Sequence, residues 1–392
     1  MPVSLTTAEW TDKPAQWPDL MALLRVKRMF TPTIHQSHVE DWWKCKRYYA
    51  LRHRFGLVPK GASEARAPRL GRFYHSFAQD YYLGKDVAYT ESRLHREVEQ
   101  VAEAMEAREA ESGVLEAGGN SQTYREQCYR DIQLAKAMLL VFAATYPLDT
   151  QRVEVLAVES RMKATLRGLK VPLEGTIDLM IRDKDSEEVW LVDHKTTSRN
   201  PLHRASTFSF ELQPVIYRVL GEAHLRSVGI PPDRLVGCIH NVLRTPPIQF
   251  GREDREYTEV PHVLRSGPRK GETVVRREYT GPPRFDMFLK RVTEWYRGEG
   301  QYADAHDRGR APTLVQSWVR FEKGGVAPDD YAILEEVSRA ARALPDPIRY
   351  YRQRTGCYAY ETKCPYLDLC QSHYSLWPSL VEERFVQEEP TS

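Results

Sequence analysis

Three side chains in the segment GTIDLMIRDKDSEEVWLVDHKTTS, residues 175–198, have the types and spacing to do chemistry together: Asp178, Asp193 and Lys195. Side chains alternate along a strand, so Asp193 and Lys195 share one face while His194 points to the other. Asp178 falls on the preceding strand, and pairing of the two strands can bring it beside Asp193. Two ionised carboxylates at close range repel unless a cation lies between them. Hard oxygen donors with few protein contacts suit Mg2+ or Mn2+. A lysine beside such an ion can orient or deprotonate a water, and the ion can polarise a phosphate. An Asp-x-Lys pair alone is more often a surface ion pair. Here Asp193 follows the apolar run Trp190-Leu191-Val192, which predicts a buried strand, where a carboxylate and an ammonium are costly to keep.

Hydrophobic periodicity supplies the elements that must carry these residues. Strands are predicted over 152–166, 169–182 and 188–196, the last two joined by the polar turn Asp183–Glu188, and over 234–243. Residues 255–261 read as a further strand and 262–280, rich in Gly and charge, as a loop or exposed hairpin. Helices are predicted over 18–29, 36–54, 70–83, 92–111, 121–145, 209–226, 283–298 and 328–343, with Gly118-Gly119 as a break and a Gly/Ala/Pro linker at 56–68. A helical first half, a central sheet and a late cysteine-rich stretch make an α/β fold.

Composition bounds the answer without choosing it. At about 150 residues per domain, 392 residues make one large domain with insertions or two domains. There is no apolar run of about 18 residues, and the N-terminus has neither a basic start nor an apolar stretch, so a cytoplasmic protein is expected. The net charge of +2 neither supports nor excludes a nucleic-acid partner. Local cation clusters are more informative: KCKRYYALRHR at 44–54, Arg66/Arg69/Arg72, and the run from Arg265 to Arg277. Each is equally readable as solvated surface.

Further residues extend the pattern. In chain order they are Gly71-x-x-x-His75, Gly175-x-x-Asp178, Asp193-x-Lys195 and Gln213-x-x-x-Tyr217. Taken in order, with the flank VDHKTT, these resemble the RecB-like branch of the PD-(D/E)XK nuclease superfamily over about residues 36–372. The resemblance implies a restriction-endonuclease-like core, a central mixed sheet flanked by helices. It implies that His75, Asp178 and Asp193 ligate Mg2+ or Mn2+ with the backbone carbonyl of His194, and that Lys195 positions the nucleophilic water. Glu159 matches an acidic position of the family. Gln213 and Tyr217, one turn apart on a helix, would steady Lys195 or the DNA backbone. The implied division is an N-terminal extension (1–35), a helical region with His75 (36–150), the nuclease core (151–300), a helical and Cys-rich segment (301–378) and a disordered tail (379–392).

The six cysteines include a close set, Cys357, Cys364 and Cys370, in GCYAYETKCPYLDLC. In a reducing compartment such clusters are more often metal or cluster ligands than disulfides. Cys45 is the best fourth ligand, because SHVEDWWKCKRYYALRHRFGL resembles the family's N-terminal cysteine segment. By that resemblance the four hold a 4Fe-4S cluster that pins the chain ends together, with Zn2+ as the rival. The first gap, six residues, departs from the family's usual two and leaves the cluster type open. Cys128 and Cys238 read as core residues.

No phosphate-binding G-x-x-x-x-G-K-[ST] loop is present, so any helicase motor would be a separate partner. No G-x-S-x-G elbow is present either. The expected function is metal-dependent hydrolysis of DNA phosphodiesters, as an exonuclease acting on single strands or free ends in repair, recombination or phage DNA processing. Aromatics such as Trp42, Tyr48 and Tyr49 would stack on bases or pack in the core. The alternatives are a flap or structure-specific endonuclease and an inactive DNA-binding adaptor.

Overall fold

The structure is a computed structural model, and it describes residues 33–60, 65–112, 121–208, 211–299, 313–322, 326–342, 357, 364–372 and 376–387. The helix expected at 18–29 lies outside them. In chain order the elements are α1 (Gln36–Lys44), α2 (Lys46–Tyr49, running into a π-helical turn Ala50–Arg54), β1 (Leu57–Pro59), α3 (Arg66–Tyr82), α4 (Val87–Ser112), α5 (Ser121–Thr145), β2 (Val153–Ala164), β3 (Leu173–Asp183), β4 (Val189–Thr197), α6 (Pro201–Thr207) and α7 (Leu212–Ser227). There follow β5 (Leu235–Arg244), β6 (Glu256–Val263), β7 (Thr273–Thr280), α8 (Phe285–Arg297), β8 (Leu314–Arg320), α9 (Pro328–Arg342), α10 (Leu367–Gln371), α11 (Trp377–Arg384) and β9 (Phe385–Gln387).

A five-stranded mixed sheet, ordered β2-β3-β4-β5-β8, forms the centre. Only β4 and β5 run parallel, joined through α6 and α7; the other pairs are antiparallel. One core gathers Ile177, Leu191 and Cys238 of the sheet with Val39 of α1, Ile216 and Leu220 of α7, and Val337 of α9. A second packs Leu243 of the sheet's end against Phe73 and Phe77 of α3, Ile132 and Met138 of α5, and Phe288 of α8. This is the α/β arrangement, helices flanking a mixed sheet, that the strand pattern predicts, and Cys128 and Cys238 are buried as expected.

The ends of the described chain meet. β1 pairs antiparallel with β9, Leu57 opposite Gln387. Leu51, Phe55, Leu57, Tyr366, Trp377 and Phe385 bury one another, and the Tyr366 hydroxyl donates to the Leu57 carbonyl at 2.5 Å. This corrects two expectations. The linker at 56–68 contains a strand and the start of α3, and the tail placed from residue 379 instead contains most of α11 and β9, because that stretch has an apolar partner 328 residues upstream in β1. The single helix expected over 36–54 is also interrupted, since Cys45 adopts an extended backbone (φ −164°, ψ 111°) between α1 and α2. Strand β8 and helix α6 went unforeseen. The Asn200 side chain caps α6 by accepting from the Leu202 N–H at 2.9 Å, with Pro201 in the first turn.

Helix α3 is fixed by a buried ion pair. Arg69 donates to Asp131 of α5 through Nε at 2.9 Å and Nη2 at 2.7 Å, and Arg66 adds a third contact at 2.9 Å. Arg69 and Asp131 are both buried, while Arg72 lies over the Phe73 ring. The Arg66/Arg69 pair is therefore a brace between helices rather than a nucleic-acid surface. Asp131→Ala should destabilise the protein by about 3–5 kcal/mol, since it strands a buried guanidinium. Chemical denaturation with far-UV circular dichroism measures this, and a loss under about 1 kcal/mol, the level of an exposed pair, would contradict it.

Candidate active site

The site forms where β2, β3 and β4 meet α3. Val158 pairs with Leu179 and Ser160 with Ile177, which sets Glu159 across from Asp178. A bulge between Val155 and Ala157 precedes this point, and Glu159 itself has φ 43°, a left-handed backbone that a non-glycine residue rarely adopts. Such strain persists only where surrounding contacts enforce it. From α3, His75 Nδ1 reaches Glu159 Oε1 at 3.1 Å and Asp178 Oδ2 at 3.5 Å. His75, Glu159 and Asp178 each offer one ligand atom, and the three atoms lie within 4.8 Å of one another. The backbone N–H of His194 donates to Asp178 Oδ2 at 2.7 Å, tying β3 to β4 where their ladder ends.

The electrostatics describe a place made for a cation. Burial disfavours the imidazolium of His75, but the Asp178 charge and the Glu159 hydrogen bond outweigh it and raise the group to about 9. Burial pushes Asp178 up, and the nearby Asp193 and Glu159 charges add to that against the pull of His75 and Lys195. A proton on His75 thus lies between carboxylates that a metal ion would serve equally. The donor set of one imidazole nitrogen and two carboxylate oxygens suits Mg2+ or Mn2+.

Beside this group lies a different arrangement. Asp193 has no exposure to solvent. Its Oδ1 accepts from Lys195 Nζ at 2.8 Å, Gln213 Nε2 at 2.5 Å and the Tyr217 hydroxyl at 3.1 Å, and its Oδ2 is 2.8 Å from His240 Nδ1. Burial alone would raise Asp193, but Lys195 and His240 overcome it and hold the carboxyl well below the usual range. Burial likewise works against the Lys195 ammonium, yet Asp193 and Asp178 raise its pKa. Lys195 is therefore held as a cation that donates to Asp193.

All the residues singled out around Asp178 and Asp193 converge, but in two groups. His75, Glu159 and Asp178 form the metal-capable one. Asp193, expected as a ligand, accepts three donors on Oδ1 and one on Oδ2 and orients Lys195. Gln213 and Tyr217 contact Asp193 rather than Lys195. The His194 imidazole is turned away, 3.1 Å from the Tyr82 hydroxyl and packed near Phe142, and burial lowers it to about 3, so only its backbone faces the site. Sequence reasoning missed His240, fully buried and stacked on Phe208 at 3.9 Å. Its signal was a histidine within the apolar strand LVGCIHNVLR, in register with Asp193 on the parallel neighbour.

Three further cysteines are electrostatic neighbours of Cys364. Cys364 is pushed up to about 11 by burial, with the charges of Cys370, Cys357 and Cys45 adding to it. The Cys364 N–H donates to the Cys357 carbonyl at 2.9 Å, and the Cys370 N–H to the Tyr366 carbonyl at 2.9 Å. Among the described residues, which include all six cysteines, no disulfide forms. Four thiols whose ionised forms repel one another fit a cationic centre that would bind them as thiolates. Trp42 and Tyr49 are buried in the main core and Tyr48 packs edge-on against Tyr366 at 5.1 Å, so these aromatics are structural and not a base-stacking platform.

The family model of the PD-(D/E)XK nuclease superfamily matches residues 33–371. No curated protein matches the sequence. No helix among the described residues is long and apolar enough to cross a membrane.

Metal binding at His75 requires the neutral imidazole, whereas Asp178 and Glu159 favour the imidazolium and raise the group to about 9. Asp178 is raised to about 7 and is also partly protonated near neutrality, so Mn2+ binding should release between one and two protons per ion near pH 7, and affinity should rise with pH until about 9 is reached. Titration calorimetry in buffers of different ionisation enthalpy reads the proton count; pH-independent affinity with no proton released would exclude His75 as a ligand.

Proposed function

Because the chain belongs to the PD-(D/E)XK nuclease superfamily, which implies metal-dependent hydrolysis of phosphodiester bonds, we propose that it is a RecB-like DNA exonuclease acting on single strands or free ends. The observation that carries this reading is the meeting of His75, Glu159 and Asp178 next to a lysine whose charge is fixed by Asp193. A bound Mg2+ or Mn2+ supplies Lewis-acid stabilisation of the phosphate and a more acidic water. His75, Glu159 and Asp178 would hold that ion. Lys195 contributes a permanent positive charge and hydrogen-bond donors toward the scissile phosphate, where negative charge grows in the transition state. Its attachment to Asp193 fixes its direction, and Gln213, Tyr217 and His240 keep Asp193 from turning. The preference for free ends rests on the order of motifs shared with the RecB-like branch. Repair, recombination and phage DNA processing, with a separate motor as partner, rest on the same likeness.

We assign Cys45, Cys357, Cys364 and Cys370 as ligands of a 4Fe-4S cluster. The electrostatic coupling of Cys364 to Cys45, Cys357 and Cys370, and the meeting of the chain ends at the β1–β9 pair, support this, because a covalent tie there would secure that short pair. Anaerobically prepared protein should be brown, with a band at about 400 nm from thiolate-held iron and sulfide. Colourless protein with one zinc per chain would replace the cluster by Zn2+.

Lys195→Ala and Asp178→Asn should each lower Mn2+-dependent cleavage of end-labelled DNA by about 100-fold or more while DNA affinity is kept. Wild-type protein that cleaves no DNA with Mn2+ would overturn the enzymatic reading. Cleavage of a closed single-stranded circle would replace exonuclease by endonuclease.

A further inference from the structure

The chain's net charge is +2, yet residues 265–277 hold Arg265, Arg269, Lys270, Arg276 and Arg277 against one acidic residue, Glu272. This segment is the far half of the β6–β7 hairpin. Neither strand contains a buried residue, so nothing in the core requires these cations. Arg269 pairs with Glu272 at 2.7 Å and Arg277 with Glu259 at 3.6 Å, both exposed pairs of the kind worth little. Among the described residues, Arg265, Lys270 and Arg276 have no carboxylate partner.

An isolated two-stranded ribbon is marginally stable, and this one is built in at its base. Asp254, fully buried, accepts from the Gly251 N–H at 2.8 Å through Oδ2, and its Oδ1 lies in an ion pair with Arg291 Nη1 of α8 at 3.1 Å. The Arg284 N–H donates to the Asp254 carbonyl at 2.7 Å, and the Arg284 guanidinium to Glu256 at 2.6 Å. The hairpin also departs from the catalytic end of the sheet. Lys195 pairs with Val242 and Thr197 with Arg244, and the Thr245 N–H donates to the Thr197 carbonyl at 2.7 Å as the chain leaves β5 toward the arm. One face of the ribbon carries the cross-strand pair Tyr257 and Tyr279, 5.9 Å apart, with exposed Val263 and Val275 beyond them. Arg277 lies over Tyr257 at 4.6 Å.

We propose that the β6–β7 hairpin is a DNA-holding arm, whose distal cations bind the phosphates of the strand running to the active site. This rests on the nucleolytic reading of that site. A polyanion accounts for three unpaired cations against one unpaired acid among the described residues of the ribbon, Glu278, and the exposed tyrosine and apolar side chains that lead from the base of the ribbon toward the cationic tip suit a strand whose bases are accessible. Eight paired residues span roughly 27 Å at about 3.4 Å each, long enough to follow several nucleotides.

The test is a full-length variant carrying Arg265→Ala, Arg269→Ala, Lys270→Ala and Arg276→Ala. Binding of a fluorescent single-stranded 30-mer is followed by anisotropy across a salt series without divalent metal, and hydrolysis of bis-p-nitrophenyl phosphate is measured with Mn2+. Losing three or four phosphate contacts should flatten the slope of log affinity against log salt by roughly 2–3 and weaken binding more than 10-fold at about 0.1 M salt. Hydrolysis of the small diester should be unchanged. A second variant with Arg265→Lys, Arg269→Lys and Arg276→Lys should bind as wild type, and the melting temperature of both should stay put. An unchanged slope in the alanine variant overturns the arm even if the enzyme cuts DNA normally. A flattened slope in a protein whose wild type hydrolyses neither substrate keeps the arm and removes the nuclease reading.

Discussion

The Asp193 carboxylate, sealed from solvent, is the constraint to which the surrounding elements answer. An ionised carboxylate offers about four lone-pair sites, and Lys195, Gln213, Tyr217 and His240 supply four donors. Leaving such a charge unpaired costs several kcal/mol, so each donor is held where Asp193 needs it. Gln213 and Tyr217 are one turn apart on α7 and pin that helix to the sheet. His240 reaches Asp193 from the parallel neighbour β5 and is clamped from the other side by Phe208. The geometry of Lys195 is thus a consequence of how β4, β5 and α7 satisfy one buried charge.

A few ångströms along the same strands the balance is reversed. Glu159, Asp178 and His75 bring two carboxylates and one imidazole together with few donors to share. Glu159 is held there in a left-handed backbone that costs about 1–3 kcal/mol. The donor-rich carboxylate and the donor-poor pair divide the work. Asp193, with three donors on Oδ1 and one on Oδ2, is matched in charge by its neighbours and orients Lys195; Asp178 and Glu159, short of partners, are suited to receive a cation. Identity of side chain does not separate the two aspartates. Their neighbours do, through the charge that burial leaves uncompensated at one and satisfies at the other.

Much of this was legible in the sequence because strand alternation and helical spacing are local. The pairing of Asp193 with Lys195, the shared face of Gln213 and Tyr217, and strands β2 to β5 follow from periods of two and of about three and a half. What stayed hidden depends on contacts between distant segments. His240 looks like any buried strand residue until β5 is placed parallel to β4 in register. The division of labour between Asp178 and Asp193 needs the donor count around each. The β1–β9 pair joins two three-residue strands too short to announce themselves, and the break at Cys45 interrupts a stretch whose helical spacing runs straight through it.

The same limit governs the cation clusters. Arg66 and Arg69 on α3 and the run from Arg265 to Arg277 read alike as local concentrations of positive charge. Their fates differ because Asp131, more than sixty residues beyond α3's first turn, turns back to meet Arg66 and Arg69 and withdraws them into a helix brace. No comparable acid returns to Arg265, Lys270 or Arg276 among the described residues, and the ribbon carrying them buries nothing. Charge that a fold has already neutralised holds His75 in place; charge that it leaves exposed, on the ribbon that departs from the end of the sheet where Lys195 lies, is available to a polyanion. Positive sequence clusters therefore acquire meaning only after each cation has been matched to the acid that folding brings to it.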